Sequence, residues 1–199
     1  MKPKSISILL SILLILTVLG STLSLSFPPV FANPVCGATI KKNTTLTGNI
    51  GPCSSGSGLI IDADSITLNC AGHTISGTGN AFSGIYVLGI TKVTVEKCKV
   101  TGFEDGFILQ ASSSNTLTGN TANSNEYGFV LTDFSGSNTL TKNTANKNTD
   151  YGYYDTSVSS SAGVPHWDTA NSYKGDKGSG NGLGLAGGNP NIATATSPF

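Results

Sequence analysis

The stretches SNTLTGNTANSN (residues 114–125) and SNTLTKNTANKN (residues 137–148) are near-identical and begin 23 residues apart. A repeat on a period in the low twenties is typical of a stacked solenoid. A shorter marker extends the pattern: a glycine followed by alternating apolar residues, at Gly84, Gly106 and Gly128, and in weaker form at Gly152. Alternate residues of a strand point to opposite faces, so the apolar positions of successive repeats should face one shared interior.

No amphipathic helix separates these strand patterns, so the chain is predicted to be all-β, a right-handed parallel β-helix of about four to five coils. Recurring asparagines such as Asn120 and Asn143 are expected at a corner of each coil, where stacked amides bond along the solenoid. The predicted boundaries are a signal peptide at 1–32, an N-terminal cap at 33–57, repeats at 58–175 and a Gly/Asn-rich tail at 176–199.

The first 32 residues have the pattern of a secretory signal, with Lys2 and Lys4 before an apolar run and small residues ending at Ala32. Cleavage is favoured over retention as an N-terminal anchor, because Pro28 and Pro29 interrupt the apolar segment before it reaches the length of a membrane span. The protein is predicted to be secreted, periplasmic or on the cell surface, and after cleavage no membrane segment is expected.

Four cysteines in an exported chain indicate two disulfides. Cys36 and Cys53 bracket a short unit and are predicted to pair, which would close the N-terminal cap. Cys70 and Cys98 fall in successive repeats, where they could form a second bond or remain two stacked, buried thiols.

Charge excludes one class of partner. After residue 32 the chain keeps 9 lysines and 11 acids and has a net charge of about −2. It has no basic patch, so nucleic acid is not an expected partner.

The segments ITLNCAGHTISGTG (66–79), VTVEKCKVTGFEDGFIL (93–109) and YGFVL (127–131) resemble exported right-handed parallel β-helix proteins with pectate-lyase-type repeats. That group includes NosD-like periplasmic proteins linked to copper-enzyme maturation. The resemblance covers about residues 60–155, and Cys36–Cys53 loosely as the cap. It implies the fold, while the activities within the group are diverse.

Catalytic patterns of the relatives are missing. Pectate lyases use a basic residue, usually arginine, and this chain contains no arginine. The Gly-His-Gly and Arg-x-Lys segments of pectin hydrolases do not occur. The close acidic pairs, Asp62 with Asp64 and Glu104 with Asp105, are interpreted as solvated turns. An enzyme is therefore not the first expectation.

One acidic pattern stands out. Glu104, Glu126 and Asp150 each lie two residues before a repeat glycine, and Tyr127 and Tyr151 follow two of them. These acids should stack along one edge of the solenoid, where a cation such as calcium could neutralise them. The tyrosines could stack on sugar rings. These five residues form the predicted carbohydrate- or cation-binding edge.

A second surface is an apolar stripe of residues that each lie two positions after a repeat glycine: Tyr86, Ile108, Val130 and Tyr154. Such a stripe is usually covered or used in binding. Either the segment Val164–Trp167 packs over it, or a protein partner does.

Copper sites use clustered Cys, Met and His. The sequence offers His73, His166, no methionine after Met1, and four cysteines assigned to disulfides, so no metal site and no cofactor beyond the candidate calcium is predicted. The predicted function is a non-catalytic surface or envelope module that binds carbohydrate. The alternatives are a polysaccharide lyase or hydrolase, and a structural or adhesive spacer.

Overall fold

The computed structural model describes residues 32–157 and 171–188. Every regular element in these ranges is a β-strand, and most strands are three to six residues long. The strands are β1 Ala38–Ile40, β2 Thr44–Thr45, β3 Ile50–Cys53, β4 Ser57–Ile61, β5 Thr67–Asn69, β6 Thr74–Leu88, β7 Thr94–Glu96, β8 Lys99–Gln110, β9 Thr116–Thr118, β10 Thr121–Asn123, β11 Tyr127–Thr132, β12 Thr139–Thr141, β13 Thr144–Asn146, β14 Tyr151–Asp155, β15 Ser172–Lys174, β16 Lys177–Ser179 and β17 Gly184–Gly188.

The strands pair in parallel with the corresponding strand of the next coil, which confirms the parallel β-helix. One face is the stack β2–β5–β7–β9–β12–β15. Five strands thus lie on β2 in the described chain, in agreement with the predicted four to five coils. β6 and β8 run around a corner, so the other two faces join into one hydrogen-bonded sheet.

Regular pairing extends beyond both predicted ends of the repeat region. β1 pairs with β4, β2 with β5 and β3 with β6, so residues 38–53 of the predicted cap form a coil themselves. At the other end β16 pairs with β13 and β17 with β14, which carries the solenoid past residue 175 to Gly188. The small residues of this segment still supply the N–H and C=O groups for pairing between strands, although the sequence repeat of apolar residues has ended.

The predicted signal peptide lies outside the described residues, apart from Ala32. Within the described ranges no helix has the length and apolar character to cross a membrane.

The core consists of side chains stacked directly above one another. Ile85, Phe107, Phe129 and Tyr153 occupy equivalent positions on successive coils and are at most 2% exposed. The ring centroids of Phe107 and Phe129 lie 4.6 Å apart, and those of Phe129 and Tyr153 lie 5.0 Å apart. The in-register stack follows from the constant repeat length, which places the same residue type at the same place in each coil.

The repeat glycines are needed for close packing. A Cβ atom on Gly106 would lie 2.5 Å from the carbonyl oxygen of Gly128 and 3.0 Å from the Cβ of Ala122. The backbone at Gly106 does not adopt a positive φ, so a turn conformation does not explain it. The neighbouring coil of the stack lies too close to Gly106 to admit a side chain at this position.

Asparagine ladders occupy three corners of the coil, where the sequence predicted one. Each asparagine accepts a backbone N–H of the preceding coil through its amide oxygen and donates to a carbonyl through its amide nitrogen; Asn120, for example, accepts from the Cys98 N–H (3.0 Å) and donates to the Val95 oxygen (2.9 Å). Asp176 ends one ladder as an acceptor only and takes the Asn143 N–H at 2.7 Å. Buried corner groups are thereby satisfied. The ladders are Asn115–Asn138–Asn171, Asn120–Asn143–Asp176 and Asn125–Asn148–Asn181.

Both pairs of cysteines form disulfides, Cys36 with Cys53 and Cys70 with Cys98. The second pair was left open by the sequence. Coil stacking brings the Cα atoms of Cys70 and Cys98 to 4.7 Å, and both residues are fully buried.

Candidate functional site

The predicted acids meet at one corner of the solenoid. Asp105 pairs in register with Ser83 of the preceding coil and Tyr127 of the following coil. Glu104, Glu126 and Asp150 lie one residue before Asp105, Tyr127 and Tyr151. The backbone N–H of Asp150 donates to the carbonyl oxygen of Glu126 at 2.9 Å, as expected for neighbouring coils. We call Glu104, Asp105, Glu126 and Asp150 the acid edge.

The predicted side chains differ in exposure. Glu104 and Glu126 are exposed, whereas Asp150, Tyr127 and Tyr151 are half-buried. A hydrogen bond to the Asp150 carboxylate, together with partial burial and the nearby negative charges, raises the pKa of the Tyr127 hydroxyl to about 12. The hydrogen bond to Asp150 holds the Tyr127 hydroxyl beside this acid.

Three tyrosine rings form a cluster that adjoins the acid edge through Tyr127, whose hydroxyl hydrogen-bonds to Asp150. The centroid of Tyr154 is 5.4 Å from that of Tyr127 and 5.6 Å from that of Tyr151, with an interplanar angle of 17° for the second pair. We call Tyr127, Tyr151 and Tyr154 the tyrosine cluster. Tyr154 was assigned by the sequence to the apolar stripe, so the fold joins two surfaces that the sequence treated separately.

Asp105 is the residue that the sequence reasoning missed. It was interpreted, together with Glu104, as part of a solvated turn. Glu104 is exposed, but both residues lie in strand β8 and Asp105 is only 7% exposed, so the interpretation is wrong. Burial, followed by the charges of Glu104 and Glu126, raises the pKa of its carboxyl from 3.8 to about 7. The repeat did contain one indication that Asp105 is buried, namely its register with Ser83 and, one coil earlier, with Ser57. The hydroxyls of these two buried serines hydrogen-bond to each other at 2.8 Å.

The apolar stripe is in register, as predicted. Its two central residues, Ile108 and Val130, are buried (6% and 7% exposed), while Tyr86 and Tyr154 at its ends are half-buried. Val164–Trp167, the segment predicted to cover it, lies outside the described residues.

The stripe has a polar border that the sequence did not indicate. The Tyr86 hydroxyl donates to Gln110 Oε1 at 2.7 Å, and Gln110 Nε2 donates to Asp133 Oδ2 at 2.6 Å. These groups come from three successive coils and limit the stripe on the side away from the acid edge.

The other close acidic pair has a structural role. Asp62 forms an ion pair with Lys41 at 3.0 Å. Asp64 accepts hydrogen bonds from the backbone N–H and the hydroxyl of Thr91, at 2.6 and 3.2 Å. Both carboxylates are already engaged within the fold.

Comparison with protein families adds one assignment. Residues 36–182 match the family described as "Periplasmic copper-binding protein (NosD)". The chain belongs to the NosD family. The match spans the whole described solenoid except its two ends, and the periplasmic description of the NosD family agrees with the predicted export of this chain.

Other comparisons add little beyond this family. No curated protein matches the chain. Among solved structures, a similar one is the catalytic domain of a GH87 alpha-1,3-glucanase variant in complex with nigerose, with 21% identity and a TM-score of 0.40. The match covers 72% of this chain and 30% of that chain, so this chain spans less than a third of the glucanase domain.

The description of the NosD family includes copper binding. Copper prefers Cys, Met and His donors. All four cysteines are in disulfides, the described residues contain no methionine, and His73 is the one histidine among them. Within these residues no group of three His, Cys, Asp or Glu side chains could hold a metal ion. The described solenoid does not fit a copper site.

Proposed function

We propose that this NosD-family chain is an exported, non-catalytic module that binds carbohydrate at the acid edge and tyrosine cluster. The observation that carries the proposal is the group of three tyrosine rings, supplied by two successive coils and placed beside carboxylates. Aromatic faces pack against the apolar face of a sugar, and carboxylates accept hydrogen bonds from its hydroxyls. Specific sites commonly combine such apolar surface with a few convergent polar groups.

Binding should be measured with the purified chain on a panel of immobilised plant, algal and microbial polysaccharides. Retention is expected on at least one polymer, with loss of about tenfold in affinity when Tyr151 and Tyr154 are both replaced by alanine, since each removed ring contributes roughly 0.5–1 kcal/mol. Phe134→Ala is the matched control, because Phe134 is 77% exposed and outside the cluster. Equal losses in both variants would refute the assignment to the tyrosine cluster.

The same site supports a second candidate, a carbohydrate-active hydrolase. The favouring observation is Asp105, a buried carboxyl with a raised pKa of about 7 next to the exposed Glu104 and Glu126. A protonated carboxyl beside an ionised carboxylate is the pairing that glycoside hydrolysis requires. Release of reducing ends that Asp105→Asn abolishes would establish the hydrolase, and retention without release would support the binding module.

Calcium remains a proposed accessory ion, and the predicted protein partner on the apolar stripe remains a proposal as well. Polysaccharide retention should be compared with and without calcium, using Glu104→Gln as the variant, because calcium prefers carboxylate oxygens. Absence of both retention and turnover would favour the structural or adhesive spacer.

A further inference from the structure

No ion pair between two described residues involves the acid edge. Within residues 32–157 and 171–188 the ion pairs are Lys41 with Asp62 and Lys97 with Glu96, and neither pair involves the acid edge. Two members of the edge, Glu104 and Glu126, are exposed and close enough to Asp105 to act on its carboxyl. The corner therefore has a local negative potential that the described chain does not neutralise.

Asp105 sits within this potential and is more than nine-tenths buried. Its carboxyl accepts no hydrogen bond from the part of the chain that the structure describes. Among the described residues no side-chain oxygen is both shielded from solvent and unpaired, so the small exposed part of Asp105 includes its carboxyl oxygens, which face outward at the corner. A donor supplied by a ligand could take the place of water there, and a positively charged donor would also relieve the repulsion from Glu104 and Glu126.

Two observations favour an ammonium group over a metal ion as the cation bound at this edge. No three acidic, histidine or cysteine side chains of the described residues are arranged to hold a metal ion. An ammonium group needs no such coordination sphere, because each of its N–H groups donates to a single acceptor. Ammonium groups are also attracted to the faces of aromatic rings, and the tyrosine cluster borders the edge.

We infer that the ligand is a polysaccharide that carries free primary amines, with an ammonium group at Asp105 between Glu104 and Glu126 and sugar rings against the tyrosine cluster. This inference rests on the proposed carbohydrate-binding function and names the class of glycan. The same charges disfavour polyuronates and sulfated polymers, since a like charge at the edge is repelled.

The test is a pull-down on chitosan, on the same chitosan after complete N-acetylation, on a neutral glucan and on polygalacturonate. Retention on chitosan is expected to exceed that on the acetylated polymer by about tenfold or more, the factor that loss of a charge-assisted contact gives. Polygalacturonate should not be retained. Oligo-lysine, which carries ammonium groups but no sugar, is included to distinguish recognition of an aminated sugar from attraction to positive charge alone.

Variants locate the interaction. Asp105→Asn and, separately, Glu126→Gln should each weaken binding to chitosan by about tenfold more than they weaken binding to neutral glucan, because only the aminated polymer loses a charge-assisted contact. Glu126 is exposed, so its replacement should not disturb folding. Asp62→Asn is the matched control, because it removes one carboxylate at a distant, ion-paired site.

The outcomes separate the two proposals. Retention of acetylated or neutral polymer that equals or exceeds retention of chitosan would overturn the amine inference and leave carbohydrate binding in place. Equal capture by oligo-lysine and chitosan, or equal losses in Asp62→Asn and Asp105→Asn, would overturn it too. Failure to bind any polysaccharide would overturn both proposals.

Discussion

Replacing Asp105 by asparagine should stabilise the protein at neutral and alkaline pH. The carboxyl of Asp105 has a pKa of about 7 in the folded chain, against an ordinary value of 3.8, because of burial and of the charges of Glu104 and Glu126. Between these two values the folded state binds more protons than the unfolded state, so the free energy of unfolding falls as pH rises. The stability that the folded state gains from holding Asp105 protonated is fully present below about pH 3.8 and is lost as the pH rises through about 7.

The magnitude follows from the size of the shift. A difference of about three pKa units corresponds to about 4 kcal/mol at roughly 1.4 kcal/mol per unit. Asp105 is 7% exposed, so solvent screening removes little of this. Local relaxation and water penetration reduce such penalties, and we expect about 2–4 kcal/mol. Asparagine keeps the shape of the protonated side chain and does not ionise.

The assay is urea unfolding of both proteins at pH 4, 6 and 8. The stability of Asp105→Asn relative to the native chain should rise by about 2–4 kcal/mol from pH 4 to pH 8. Glu104→Gln should show a smaller rise of the same sign, because removal of Glu104 lowers the pKa of Asp105 towards its ordinary value. Asp62→Asn is the control for removal of an exposed acid. A pH-independent difference for Asp105→Asn would refute the reasoning.

Three further substitutions test the solenoid. Phe129→Ala removes a fully buried ring that is stacked between the rings of Phe107 and Tyr153, and it should lower the free energy of unfolding by about 3–5 kcal/mol. A loss below about 1 kcal/mol in urea titrations would contradict the stacked core. Asn120→Ala leaves the buried Cys98 N–H and the buried Val95 carbonyl unpaired and should cost roughly 2–5 kcal/mol, and a loss below about 1 kcal/mol in urea titrations would argue against the ladder. Joint replacement of Cys70 and Cys98 by alanine should destabilise by roughly 3–4 kcal/mol, from the loop that a sequence separation of 28 closes, and an unchanged thermal midpoint would show that the bond does not restrict the unfolded chain.

The repeat made the fold predictable because a parallel β-helix is periodic. Each coil of constant length places Phe107, Phe129 and Tyr153 at the same position, so the alternation of inward and outward residues could be assigned from sequence alone. The same logic placed the acids on neighbouring coils. The extent of the solenoid was harder to predict, because coils at its ends, such as the one containing β17, are held by backbone pairing and small residues with little apolar signal.

The sequence by itself determined the all-β solenoid, the stacked apolar core and the file of acids, because these depend on periodicity and strand alternation. Tertiary structure decided which corner residues are buried and what they meet. Asp105 is buried because Ser83 and Tyr127 lie above and below it in neighbouring coils, while Glu104, one residue earlier, faces solvent. Tyr154 joins Tyr127 and Tyr151, and Cys70 meets Cys98, for the same reason: burial and contact at a corner depend on the coils stacked against it.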